Sequence, residues 1–259
     1  MGSLPTKGSM WSIALFIIKE RVDIIEEKDI KKKNHFKHFK QIQYNIIYNK
    51  KKYNMNIEEQ KNMWNNFDNW SNDGHEWSVY FGTTENLWNI IYPKFKNYIC
   101  GNVLEIAPGF GRMTEQLLKY TKNLSIIDLS DICIEKCKEK FGNNIEKYVV
   151  NDGKTLNFDD NSFDFIFSFD SFVHMTEDVI ESYISEINRT LKNNGYAFIH
   201  HSFFMGGNND RIIENIAGRS NMTPETFKNI VEKYKMTIIS QENFKISEQI
   251  NDTITIFKK

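Results

Sequence analysis

Apolar and polar positions follow two rhythms along this chain, one of short apolar runs and one of helical spacing. Val103-Leu-Glu-Ile106 is apolar apart from one carboxylate and runs into Ala107-Pro-Gly109-Phe-Gly111. This predicts a strand buried on both faces, then a glycine turn. Met113 to Tyr120 follows as a helix, with Met113, Leu117 and Leu118 on one face. Leu124 to Asp128 predicts a second strand, Val149-Val150 the end of a third, Phe163 to Asp170 a fourth and Tyr196 to Ser202 a fifth. Thr223 as N-cap and Pro224 in the first turn open a helix that runs to Tyr234. Met236 to Phe244 and Thr253 to Lys258 then read as two closing strands, the last alternating as Thr-Ile-Thr-Ile-Phe. The glycines of Asp73-Gly-His-Glu-Trp-Ser-Val-Tyr-Phe-Gly82 predict a loop over a pocket. The sum is a seven-stranded α/β fold.

Each of the first four strands stops at a small or acidic residue, and ligands of open α/β sheets bind outside those carboxyl ends. Gly109 and Gly111 let the backbone approach a ligand closely. Thr114 stands where a dinucleotide fingerprint wants its third glycine, and Glu105 just before the turn would repel phosphates. A cationic or zwitterionic nucleoside such as S-adenosylmethionine suits this loop better than NAD. Asp128 at the end of the second strand has the placement to accept both hydroxyls of a ribose. The expected cofactor contacts are Tyr80, Glu105, Ala107, Gly109, Gly111, Asp128, Leu129, Asp152, Gly153 and Phe169.

Glu105 to Gly111, Asp128, Asp152-Gly153, Phe163 to His174 and Leu191 to Gly195 together resemble the successive motifs of class I S-adenosylmethionine-dependent methyltransferases, over roughly residues 75 to 259. The resemblance implies a three-layer Rossmann-like fold whose mostly parallel sheet of seven strands ends in an antiparallel C-terminal hairpin strand. Tyr80-Phe-Gly82, His200-His-Ser202 and Arg219 to Phe227 are most similar to bacterial sugar O-methyltransferases of capsule and surface-polysaccharide pathways, heptose enzymes among them. Ala107 departs from the glycine that many members carry there. The segment after the fourth strand, Phe169-Asp-Ser-Phe, lacks the Asn-Pro-Pro-Tyr that the resemblance associates with methylation of planar exocyclic amines.

Methyl transfer to a hydroxyl needs alignment and a base for the proton. His174 is the expected general base: if the segment past Asp170 turns helically, the two side chains share a face. His200 and His201 must point to opposite faces of the fifth strand, so one faces the pocket and the other packs. The expected catalytic set is His174, Asp170 and His201. Trp77, His200, Arg211 and Arg219 are the expected substrate contacts, the arginines toward phosphates of a nucleotide-linked sugar. A divalent ion held by Asp170, His174 and one of the paired histidines is conceivable, but no metal is expected. Two other readings stand beside the sugar: a small amine or phospho-base acceptor, and a non-catalytic cofactor-binding scaffold subunit.

Composition narrows the partners. Lys+Arg 33 against Asp+Glu 34 leaves a formal charge of -1, so no global basic field recruits nucleic acid. Cys100, Cys133 and Cys137 lack a disulfide framework or a C-x-x-C pair, which points to a reducing, cytoplasmic setting. The apolar run Trp11 to Ile18 is far shorter than the roughly 18 residues of a membrane span and lacks a cleavage pattern. Residues 1–10 read as an expression scar, 11–56 as a charged helical arm and 57–259 as the catalytic domain. The arm's apolar residues need burial, on a second subunit or on the catalytic domain, and a homo-oligomer is expected.

Overall fold

The computed structural model describes residues 57–66, 70, 72–203, 219–247 and 250–259. The expected scar, the arm and Arg211 lie outside the described residues. Five parallel strands, β1 (Asn102–Ile106), β2 (Asn123–Asp128), β3 (Lys147–Val150), β4 (Phe163–Ser168) and β5 (Leu191–Ser202), join β6 (Thr237–Lys245) and β7 (Asn251–Lys258) in one sheet. The order is β3-β2-β1-β4-β5-β7-β6, with β7 antiparallel to both of its neighbours. This is the expected Rossmann-like architecture.

Helices cover both faces because the strands are apolar on both. Leu104 and Ile106 of β1 pack with Ile180 and Ile184 of α5 (Glu177–Thr190) and Phe227 of α6 (Pro224–Lys233). Val103, on the alternate side, joins Leu87, Ile91 and Phe95 of α2 (Thr84–Phe95), Leu117 of α3 (Thr114–Leu117) and Ile134 of α4 (Asp131–Phe141). Each such side chain contributes about 1.5–3 kcal/mol when fully buried. A first helix, α1 (Ile57–Asn65), precedes them.

Three local expectations change. The helix after the glycine turn is a single turn, because Lys119 and Tyr120 bond back three residues, to Gln116 and Leu117, and wind it tight. β5 begins at Leu191, which pairs with Phe163, and a register shift before Phe165 absorbs the extra residues near Asn194 and Gly195. Residues 75–81, expected as loop, form a 3-10 helix between Gly74 (φ 86°) and Gly82 (φ 82°), whose left-handed backbone starts and stops it. Thr223 caps α6 as expected, accepting from Thr226 N–H at 3.0 Å. Among the described residues, no helix is long and apolar enough to cross a membrane.

Candidate active site

The glycine turn after β1 is built to bring backbone close to whatever lies above it. Ala107 takes φ 58° and donates its N–H to Ile127 O at 2.7 Å, which ties the loop to the end of β2. Gly109 (φ 58°) lies under the Trp70 ring, 2.8 Å from where a Cβ would sit, and Trp70 stacks on Phe110 at 4.4 Å. Gly111 (φ 86°) faces Phe141 of α4, with a Cβ position 2.3 Å from Phe141 Cε2. Gly111→Ala is therefore expected to lower stability by about 2 kcal/mol or more, from overpacking and backbone strain together. Denaturant melts of that variant and of Gly111→Ala/Phe141→Leu check this: the second change should restore part of the loss.

Asp128 ends β2 beside this loop. Its Oδ2 accepts from Gly109 N–H at 3.2 Å and its Oδ1 from Ser130 N–H at 2.8 Å. Burial pushes its carboxyl up to about 6, against the pull of those backbone donors. Leu129 is half-buried and lies 3.3 Å from a Cβ position on Gly153, which Ile57 of α1 also approaches at 2.9 Å. The Oδ1 of exposed Asp152 accepts from Lys154 N–H, Thr155 N–H and Thr155 Oγ1, closing a turn after β3. Helix α1 lies against the same rim: Asn65 Oδ1 accepts from Ser130 Oγ at 2.7 Å, and Trp64 meets the His174 ring at 5.9 Å between centroids.

Other expected contacts are placed differently. Glu105 was expected to face the ligand, but only 2% of it is exposed and its Oε2 accepts from Thr114 Oγ1 at 2.6 Å. Strand alternation turns it inward, and burial pushes its carboxyl up to about 8. It fastens the glycine turn to α3. Phe169 is buried, stacked on His200 at 4.3 Å with the Arg112 guanidinium 5.8 Å above its ring, so it supports the site from below. Trp77 and Tyr80 sit on the 3-10 helix 75–81, with Tyr80 exposed.

Beyond β4 lies a chain of ionisable side chains from separate elements. Arg112 Nη2 meets Asp170 Oδ2 at 2.5 Å, Asp170 Oδ1 lies 3.1 Å from His200 Nδ1, and His200 Nε2 lies 3.3 Å from Asp252 Oδ2. Arg219 closes the chain through Nε and Nη2 on Asp252, at 3.0 and 2.7 Å. Arg112 Nη1 also donates to Ser78 Oγ at 2.9 Å, which anchors the 3-10 helix. Burial alone would raise Asp170, but the Arg112 charge and the His200 contact hold its carboxyl well below the usual carboxylate range. His200 is fully buried. The two carboxylates raise its imidazole pKa against the effect of burial.

These contacts redistribute the expected catalytic roles. Asp170 turns at φ 62° and faces Arg112 and His200, while His174 ends a 3-10 turn, Phe172–His174, on the Trp64 side. The expectation that His201 does chemistry is corrected by its packing: it stacks on Phe227 at 3.9 Å, and its Nε2 meets Thr255 Oγ1 at 2.8 Å. Burial drives its pKa down to about 3, so it is a neutral core residue. His200, on the opposite face, lies behind Asp170 with no exposed surface and so does not touch a substrate directly. Arg219 is engaged by Asp252 rather than set toward phosphates. Among the described residues, no group of three or more His, Cys, Asp or Glu side chains is arranged to hold a metal ion. Sequence reading missed Arg112, Asp252 and Trp64; only Arg112 carried a signal, by following Gly111 directly.

Residues 104–199 match a family model described as a methyltransferase domain. Over that stretch the chain is similar to methyltransferase domains. The match spans the glycine turn, Asp128, Asp170 and His174, and it implies S-adenosylmethionine as cofactor. The strapped, close-approach glycines and a carboxylate at the end of β2 fit that group. A wheat (Triticum aestivum) protein, phosphoethanolamine N-methyltransferase 1, is 30% identical over 113 residues, 42% of this chain and 22% of that protein. The match thus spans about a fifth of that relative. The S-adenosylmethionine dependent methyltransferase from Mesorhizobium loti superposes with a TM-score of 0.53 at 13% identity, covering 70% of this chain and 100% of that one. The [4+2]-cyclase SpnF superposes with a TM-score of 0.54 at 14% identity, covering 68% and 80%. These two likenesses establish the fold alone, and a cyclase among them shows that the fold does not choose the reaction.

Proposed function

We propose that the protein moves the methyl group of S-adenosylmethionine to a hydroxyl of a small neutral acceptor, a sugar hydroxyl of the heptose or surface-glycan kind. The observation that carries the choice of acceptor is the charge balance at the β4–β5–β7 edge: among the described residues, Arg112 is matched by Asp170 and Arg219 by Asp252, with His200 between the carboxylates. Such an edge favours hydroxyls over a phosphate.

In this reading Gly109, Gly111, Asp128 and Gly153 hold the cofactor, which supplies an electrophilic methyl on a sulfonium. Asp170, with a quarter of its side chain exposed, accepts a hydrogen bond from the acceptor and orients it. Its depressed pKa makes it too weak a base to take the proton. His174 takes the proton instead, a role that rests on its place at the β4 edge. Trp64 and α1 keep water from that side. Alignment of the two reactants by these rigid parts is the larger contribution, of the order of 7 kcal/mol or more.

The similarity to the wheat phosphoethanolamine enzyme favours a second reading, transfer to the amine of a phospho-base. Labelled-methyl transfer to a panel of free and nucleotide-linked sugars, ethanolamine and phosphoethanolamine separates the two. Methylated sugar is the expected product; label found only on an amine overturns the hydroxyl assignment.

Cofactor binding should follow the ionisation of Asp128. A raised acid is charged only above its folded pKa, so affinity for S-adenosylhomocysteine is expected to fall as pH drops through about 6. Asp128→Asn should weaken binding about 10- to 100-fold at pH 7.5 and flatten that profile. Calorimetry between pH 5 and 8, on the order of one measurement per half unit, reads both effects.

A further inference from the structure

We infer that Glu76 is a binding residue for the ammonium group at the amino-acid end of the cofactor, an inference that rests on the proposed function. Glu76 is 6% exposed, and its Oε2 accepts from Asn72 N–H at 3.2 Å. Its Oε1 is buried and has no hydrogen-bond partner among the described residues. A carboxylate oxygen buried without a donor lowers stability, and natural structures retain such groups where a ligand supplies the missing donor.

Placement identifies the donor. Asp73 (φ 52°) and Gly74 (φ 86°) reverse the chain just before Glu76, and a Cβ on Gly74 would lie 3.3 Å from Trp70 and 3.6 Å from Arg112 Cβ. The same Trp70 ring covers Gly109, so the turn bearing Glu76 packs on the glycine loop after β1. Of the other carboxylates of that loop, Glu105 is engaged by Thr114, and Asp128, whose oxygens each accept one backbone N–H and keep a second lone pair, is the one assigned to the ribose hydroxyls. Asp73 and Glu115, farther out, are taken by Lys140. The cofactor combines an adenosine end, suited to Asp128, with a cationic amino-acid end. Glu76 supplies the spare acceptor and the opposite charge for that second end. An acceptor amine would approach from the β4–β5–β7 edge, where Asp170 and Asp252 already have their cations.

Calorimetry with S-adenosylmethionine, S-adenosylhomocysteine and methylthioadenosine, which lacks the amino-acid end, tests this on the wild type and on Glu76→Gln. The variant should bind the first two about 10- to 100-fold more weakly and methylthioadenosine as the wild type does. Its ligand-free form should melt at about the wild-type temperature, because Gln fills the same space and keeps an oxygen for Asn72 N–H. Equal loss for all three ligands, or unchanged affinity for all, overturns the assignment. So does an effect confined to the acceptor KM, which would place an acceptor amine on Glu76. Wild-type protein that binds none of the three would instead sink the proposed function itself.

Discussion

His174→Ala is expected to lower turnover about 100- to 10,000-fold while leaving affinity for S-adenosylhomocysteine unchanged. The separation follows from position. The imidazole stands past β4, half-buried beside Trp64, whereas Gly109, Gly111 and Asp128 lie at the ends of β1 and β2. A residue that takes a proton only as the methyl moves should change kcat and kcat/KM together and leave ground-state binding alone. Stopped-assay kinetics on the variant, beside calorimetry, provide the check, and full turnover in His174→Ala would remove the imidazole from the mechanism. Trp64→Ala belongs in the same experiment. If the indole only holds the ring in place, its loss should cost less than that of His174.

Arg112→Met should destabilise the protein by about 3 kcal/mol, roughly 6 to 12 °C in melting temperature for a body of this size. The value sits at the low end for a broken buried pair because a quarter of the Asp170 side chain meets solvent. The substitution leaves Asp170 without its cation and Ser78 without its donor. Arg112→Met/Asp170→Asn should recover part of the loss, since no charge is then stranded. The pH dependence has a definite sign. Asp170 is depressed in the folded state, so its contribution is present above the ordinary carboxylate pKa of about 4 and fades as pH falls below that. Arg112→Met should lose that acid-side slope. The exposed pair Lys136–Glu139 gives the contrast: Lys136→Ala should stay within about 0.5 kcal/mol.

The fold was legible because burial is local. Val103 to Ile106, Leu124 to Ile127 and Phe163 to Phe167 are apolar on both faces, and each halts at a turn or carboxylate that the backbone displays at one sheet edge. The placing of Gly109 and Asp128 at one sheet edge was legible for the same reason, although their direct contact was not. The β4–β5–β7 edge was not. Its charge chain draws Arg112, Asp170, His200, Arg219 and Asp252 from five separate stretches, and Asp252 reads in sequence as an ordinary polar residue before an alternating strand. Alternation separated His200 from His201 but carried no sign of which face held Phe227. The chemistry assigned to His201 therefore fell on the wrong face of β5. Glu105 was misread for a related reason: a carboxylate in an apolar strand suggested a ligand, and the hydroxyl that engages it, on Thr114, lay in the next element.

Strand β7 follows β6 along the chain yet lies between β6 and β5. During synthesis β5 therefore waits with a bare edge until β7 leaves the ribosome, and until then Asp252 is missing from beside His200. The strands β1 to β4 are by then already out, but the cores are not closed: Ile254 and Ile256 on one side of the sheet and Phe257 on the other come only with this late arrival. A translation product cut short before β7 would therefore leave both apolar layers open and present an unpaired edge to other chains.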